Sequence, residues 1–86
     1  MIIIDPPVDY GGKFRRCSHL LSDIPGDEGR RELADFARRI GLHPEWLQHA
    51  GVAKEHYDVF GARRTRAIAA GAVEGDRRTL VNAIRR

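Results

Sequence analysis

Two short segments of the chain place a histidine and an aspartate at spacings that could support acid–base chemistry. His19 and Asp23 are four residues apart, which puts both on one face of either a strand or a helix. His56 and Asp58 share a face only if their segment is extended. An imidazole titrates near neutral pH and can act as a general base while a carboxylate holds its tautomer. We therefore treat these four residues as candidate catalytic groups.

The same side-chain types could instead bind a metal ion. Imidazole with carboxylate suits zinc, manganese or iron, whereas three carboxylates suit magnesium. The candidate metal ligands are the aspartates at segment ends, namely Asp5, Asp23 and Asp58. Asp5 ends the first strand, and the segment before Asp23 could be a short strand or one helical turn. The chain has no His-Glu-x-x-His motif and no glycine-rich phosphate loop. A divalent metal is thus one possibility, and a structural role for the histidines, hydrogen-bonded to the backbone, is the alternative.

Positive charge is concentrated in the last third of the chain. Residues 61–86 hold seven arginines against Glu74 and Asp76, a local charge of +5, whereas residues 1–60 carry −2. A basic segment of this kind favours an anionic partner such as a nucleotide or nucleic acid, although a solvated arginine-rich face is the simpler interpretation. The candidate phosphate ligands are Arg63, Arg66, Arg77 and Arg78.

The composition limits the class of protein. Eighty-six residues make one domain, 1–86, and so short a chain buries only about 60% of its unfolded surface, so a homodimer is possible. A single cysteine, Cys17, excludes an internal disulfide and favours a reducing compartment. The apolar run Ile2 to Ile4 is too short for a signal peptide or a membrane span, so we expect a cytoplasmic protein that does not enter a membrane.

Helix and strand signals alternate along the chain. A β-branched run ends at Pro6, and an amphipathic pattern predicts a helix over about 28–40 with Asp27 as its N-cap. A short helix is expected after Pro44, with His43 and His49 exposed on either side of it. Two further helices are predicted, one over Ala62–Ala70 with Thr65, Ile68 and Ala69 inward and its arginines outward, and one capped by Asp76 with Leu80, Val81 and Ile84 inward. The pattern predicts a small α/β domain with a short, partly parallel sheet and three to four helices.

A series of short motifs runs along the chain in a specific order. They are Asp5-Pro6-Pro7, Ser18-His19-Leu20, Ser22-Asp23, Gly41-Leu42, Trp46, His56-Tyr57-Asp58, Arg63 and Gly71-Ala72-Val73. In these motifs the chain resembles the small bacterial and phage proteins grouped as domain of unknown function 4031, and the resemblance covers nearly the whole chain. It implies that Asp5, His19, Asp23, His56 and Asp58 belong to a recurring pattern, but it implies no activity.

Two classes of function are compatible with these residues. The first is a binding protein that recognises the phosphate of a nucleotide or nucleic acid through a His/Asp site and the arginine-rich face. The second is a small metal-dependent hydrolase of a phosphate ester, with His19 or His56 as general base and carboxylates as metal ligands. The two histidines support a shared site only if the fold brings them together.

Overall fold

The computed structural model describes residues 1–9, 16–51 and 55–84, without the side chains of Asp9, Arg77 and Ile84. These ranges contain six strands, three α-helices and one 3₁₀ turn. In chain order they are β1 (Ile2–Ile4), β2 (Val8–Asp9), β3 (Arg16–Ser22), α1 (Gly26–Arg39), the 3₁₀ turn (Pro44–Trp46), β4 (Leu47–Gln48), β5 (His56–Phe60), α2 (Ala62–Ala69), β6 (Val73–Glu74) and α3 (Arg77–Ile84).

The strands form one mixed sheet with the order β4-β5-β3-β1-β6, and β2 pairs with the beginning of β3. β1 and β6 are parallel, whereas β3 runs antiparallel to β1, β2 and β5. This arrangement confirms the predicted α/β class with a partly parallel sheet and three helices. β3 lies between β1 and β5, and both of these neighbours run antiparallel to it.

One face of the sheet packs against α1 and α2 to form the main core. Alternate residues of the central strands lie on this face, because successive side chains of a strand point to opposite sides. Ile4, Leu20 and Val59 are fully buried there. The helices and loops contribute the remaining buried members of this core, which include Leu33, Phe36, Ala37, Ile40, Leu42, Ala67 and Ala72.

The opposite face of the sheet carries both a smaller apolar area and the polar candidates. Ile3 and Leu21 lie opposite each other on β1 and β3 and are buried. A Cβ on Gly75, just before α3, would lie 3.1 Å from the side chain of Ile3, so the chain crosses closely over this part of the sheet. Further along the same face, His19 of β3 faces Asp58 of β5.

The first helix begins earlier than its sequence pattern predicts. Its N-cap is Pro25, without a capping side chain, and Asp27 lies in the first turn rather than at the cap. An acidic residue in the first turn still interacts favourably with the helix dipole. The predicted end is confirmed, since Gly41 adopts φ +81° and the N–H of Leu42 donates to the carbonyl of Ala37 at 2.9 Å.

The inward face predicted for α2 is wrong by about one residue. Ala67 is fully buried and Ile68 partly buried, whereas Thr65 and Ala69 are exposed. The side of α2 that contacts the sheet also includes Arg63 and Arg64, which are half-buried rather than outward. A small alanine lets the helix approach the sheet, and long arginine side chains can cover apolar surface with their methylene groups.

The last helix follows its predicted cap. Asp76 Oδ1 accepts hydrogen bonds from the backbone N–H and the hydroxyl of Thr79, each at 2.8 Å. Leu80 is buried as expected, but Val81 is 36% exposed, and the side chain of Ile84 lies outside the described part. None of the helices in residues 1–9, 16–51 and 55–84 is long and apolar enough to cross a membrane.

Candidate metal centre

The pairing of β3 with β5 brings the two histidine segments together. His19 and Asp58 are directly opposite in the antiparallel ladder, so their side chains project from the same face of the sheet. His19 Nε2 lies 3.9 Å from Asp58 Oδ1. His56 stands two residues before Asp58 on an extended strand and therefore shares this face, with its Nε2 3.3 Å from the same oxygen.

The two imidazole rings also contact each other. Their centroids are 5.1 Å apart and the planes meet at 71°, so the edge of one ring meets the face of the other. Both histidines are partly covered, with 26% of the His19 side chain and 15% of the His56 side chain exposed, and Asp58 is more open at 43%. The three side chains therefore form a shallow site that is open to solvent on the Asp58 side.

The spacing of these groups suits a metal ion. One donor atom from each of His19, His56 and Asp58 lies within 4.8 Å of the other two. In a tetrahedral zinc site with bonds of about 2.0–2.1 Å, donor atoms are about 3.4 Å apart. The 3.3 Å pair already has this spacing, and the other pairs, which lie within 4.8 Å, would shorten on binding. Two imidazoles and one carboxylate are a ligand set found in zinc and iron sites.

Asp5 has a different role from the metal ligand expected from its position. It is 4% exposed, and its carboxylate accepts the backbone N–H of His19 at 2.6 Å and lies 2.8 Å from His19 Nδ1. Since an ionised carboxylate can only accept, the proton of a neutral His19 ring sits on Nδ1 and the lone pair of Nε2 faces Asp58. This carboxylate–histidine pair is the arrangement that orients metal-bound histidines.

Asp23 does not join this site, which corrects the expectation that it would orient His19 or bind the same metal. It follows the last residue of β3, and four extended residues span roughly 13 Å. Its carboxylate accepts from the amino group of Met1 at 2.7 Å, and that amino group also lies 3.0 Å from Glu32. The physical reason is antiparallel pairing. The carboxyl ends of β1 and β3 point in opposite directions, so Asp5 and Asp23 lie at opposite ends of the paired strands.

The candidate phosphate-binding arginines of α2 have contacts within the chain. The Arg63 guanidinium lies over the rings of Trp46 and Phe60, at 4.7 and 5.7 Å from their centroids. Arg66 donates to the carbonyl of Ile40 at the end of α1, at 3.3 Å. Arg63 is thus held by cation–π contacts, and Arg66 is held by a hydrogen bond to the C-terminus of α1.

Arg78 is exposed at the beginning of α3, and the side chain of Arg77 lies outside the described residues.

Sequence reasoning missed Arg64, which it placed on the outer surface of α2. Its Nε donates to the fully buried Ser18 hydroxyl at 2.8 Å, and its NH2 group lies 3.5 Å from the carbonyl of Asp5 and 3.2 Å from Glu74. The residue therefore joins the ends of β1, β3 and β6 behind the site. No local sequence signal distinguishes it from its two neighbouring arginines.

Cys17 lies on the same face as His19 but lacks the features of a nucleophile. It is buried, and burial raises the pKa of its thiol, with the negative charges of Asp58 and Asp5 adding to the effect. A raised pKa reduces the thiolate that would be the reactive form. The thiol is best described as part of the apolar packing of this face.

A comparison with protein families finds a match that covers nearly the whole chain. The profile described as "Protein of unknown function (DUF4031)" matches residues 2–86. The chain belongs to the DUF4031 family. No curated protein and no solved structure matches the chain. Membership of DUF4031 confirms the resemblance expected from the motifs.

Proposed function

We propose that this protein binds a divalent transition-metal ion of the zinc type through His19, His56 and Asp58, and that the ion serves to hydrolyse an anionic substrate such as a phosphate ester. The observation that carries the proposal is the convergence of these three donor groups on one open face of the sheet. The buried Asp5 supports it, because its bonds to His19 leave Nε2 directed at the other two groups.

The ligand number favours catalysis over a purely structural metal. Structural zinc sites use four protein ligands, whereas catalytic sites use three and keep a position for water or substrate. A zinc ion held by His19, His56 and Asp58 would lower the pKa of a bound water to about 7 and would polarise a phosphoryl oxygen. In the hydrolysis, the water oxygen forms a bond to phosphorus, the bond from phosphorus to the ester oxygen breaks, and the departing oxygen takes up a proton.

This proposal replaces the idea that His19 or His56 acts as general base. Both rings contribute their Nε2 atoms to the metal in this arrangement, and the remaining nitrogen of His19 is bonded to Asp5. An anionic substrate would bind the ion directly. The contacts of Arg63 and Arg66 with Trp46 and Ile40 give less support to a phosphate-binding arginine face.

The first test is metal binding by untagged protein that has been stripped with a chelator. Calorimetric titration with Zn²⁺ should give one site per chain, and His56→Gln and Asp58→Asn should each abolish it or weaken it strongly. His43→Gln is the matched control, since the His43 ring packs on Trp46 at 4.5 Å and is not part of the three-residue set. A variant Asp58→Asn that binds zinc like the parent would contradict the proposed site.

The second test addresses hydrolysis. The zinc- and manganese-loaded proteins are assayed with bis(p-nitrophenyl) phosphate and with p-nitrophenyl phosphate, each against the stripped protein and the Asp58→Asn variant. The proposal expects metal-dependent release of nitrophenol that Asp58→Asn removes. Binding of one zinc ion without hydrolysis of either ester would retain the metal site and overturn the proposed reaction on these esters.

A further inference from the structure

His49 is the one other described histidine beside the candidate metal centre, and its backbone is unusual. Its ring centroid lies 5.7 Å from that of His56, with the planes inclined by 32°. It is the single non-glycine residue with positive φ in the described ranges, at 54°. Residues with side chains adopt this left-handed conformation rarely, and such strained positions concentrate at functional sites.

The turn that carries His49 is held in place by α1. Arg30 of α1 donates to the carbonyl of Gly51 at 2.6 Å, and the N–H of Gly51 donates to the carboxylate of Glu55 at 2.9 Å. Arg30 also lies 3.5 Å from Glu55, whose side chain is 11% exposed. Position 49 therefore lies between two anchored points, since Gln48 pairs with His56 in the sheet and Gly51 is bonded to Arg30 and Glu55.

The distance between the rings matches that of two imidazoles on one ion. With metal–nitrogen bonds of about 2.0–2.1 Å and tetrahedral angles, the centroids of two histidine ligands are about 5 Å apart. The observed separations of 5.1 Å for His19 with His56 and 5.7 Å for His49 with His56 are both close to this value. His56 thus has two imidazole neighbours, His19 and His49.

We infer that His49 is a fourth, displaceable ligand of the ion, which completes a set of three imidazoles and the Asp58 carboxylate; this inference rests on the proposed metal site. Four protein ligands close a zinc site, and release of one ligand opens the position that a substrate or water needs. His49 lies outside the group of donor atoms within 4.8 Å of one another, so its ring must move toward the ion to bind it. It suits the role of a displaceable ligand because it is exposed, lies on a turn and belongs to no strand of the sheet. Asp5, in contrast, fixes His19 to the sheet as a permanent ligand.

His49→Gly is the informative variant, because glycine adopts a positive φ without strain and removes only the imidazole. The metal-free variant should fold normally by circular dichroism and melt no earlier than the parent. Its affinity for Zn²⁺ should fall by about tenfold or more, at least the loss that follows removal of a residue that only orients a ligand. His43→Gly is not a matched control, since φ at His43 is −75°, so His43→Gln serves again.

The coordination number is read from Co²⁺ in place of zinc. Four-coordinate Co²⁺ absorbs visible light much more strongly than five- or six-coordinate Co²⁺. The parent protein should give the strong bands, and in His49→Gly these bands should shift because a water oxygen replaces an imidazole nitrogen, and should weaken if a further water raises the coordination number. Equal affinity and equal spectra for the two proteins would overturn the role of His49 and leave the three-ligand site intact. No Co²⁺ or Zn²⁺ binding by the parent would overturn both proposals together.

Discussion

The carboxylate of Asp5 meets His19 at two points, the backbone N–H at 2.6 Å and the ring Nδ1 at 2.8 Å. This double contact fixes both the strand position and the ring orientation of His19. It also spans fourteen residues of sequence, and it forms because β1 and β3 are neighbours in the sheet. The contact therefore contributes both to the site and to the fold.

The orienting role of Asp5 is tested by Asp5→Asn. An amide cannot accept with both of its polar atoms, so either the backbone N–H or Nδ1 of His19 loses its acceptor and the ring loses its fixed tautomer. We expect the affinity for Zn²⁺ to fall by about 10- to 100-fold, the effect typical of removing a group that hydrogen-bonds to a metal-bound histidine and orients its ring. Calorimetry measures this, and Asp35→Asn on the exposed face of α1 is the control.

Phe36 in the core and Asp58 in the site should differ in their effects on the free energy of unfolding. Phe36→Ala removes a side chain that is 3% exposed in the main core and should cost about 3 to 5 kcal/mol. Asp58→Ala alters a side chain that is 43% exposed and should change stability by less than about 0.5 kcal/mol while metal binding is lost. Chemical denaturation of both variants provides the comparison.

His19→Ala should fall between these two cases. It removes the ring partner of the buried Asp5 carboxylate, and leaving a buried polar group without one of its partners costs about 1 to 3 kcal/mol. If the loss equals that of Phe36→Ala, His19 is chiefly a structural residue. If the free energy of unfolding does not change at all, the Asp5–His19 contact does not stabilise the folded state.

Arg64 should stabilise the folded state more than an exposed arginine does. Arg64→Met keeps the apolar stem but removes the donor to the buried Ser18 hydroxyl, so we expect a loss of about 1 to 3 kcal/mol. Arg38→Met is the matched control, because the Arg38 side chain is 81% exposed. Similar melting temperatures for the two variants would show that the contacts between Arg64 and the strand ends are not important for stability.

The cap of α3 should make stability depend on pH. Hydrogen bonds from the backbone and then the hydroxyl of Thr79 lower the pKa of Asp76 below 3.8, its ordinary value. A carboxyl with a lowered pKa stabilises the folded state above its ordinary pKa, and the contribution disappears as the pH falls through the lowered value. Asp76→Ala should therefore melt earlier than the parent at pH 7, with a smaller difference below pH 3.

Asp76→Asn separates the cap from the charge, because asparagine also caps helices but does not titrate. It should retain much of the stability at pH 7 and lack the acid-dependent loss at this position. A parent and an Asp76→Asn variant with the same dependence on pH between 2 and 5 would show that Asp76 is not the group responsible.

The reactivity of Cys17 should be low in the folded protein. Burial, with the charges of Asp58 and Asp5, raises the pKa of its thiol, so little thiolate exists at pH 7. We expect iodoacetamide to label the native protein much more slowly than the protein unfolded in urea. Rapid labelling of the native protein would show that Cys17 is accessible and reactive, contrary to this prediction.

The sequence by itself determined the local features of this protein. The end of β1 before Pro6, the closure of α1 at Gly41 and the cap of α3 at Asp76 follow from side-chain chemistry within a few residues. The extended pattern of β5 likewise places His56 and Asp58 on one face. The motif order was specific enough to indicate the family that the full-length match confirms.

Only the tertiary structure decided which candidates meet. Strand order and antiparallel register place Asp58 opposite His19 and bring Asp5 to the His19 ring. The same register places Asp23 at the opposite end of the strands from Asp5. The same long-range packing turned Arg64 inward. These relationships join residues that are 14 to 59 positions apart, and local propensity carries no information about them, because register is set by burial of a whole sheet face rather than by any one residue.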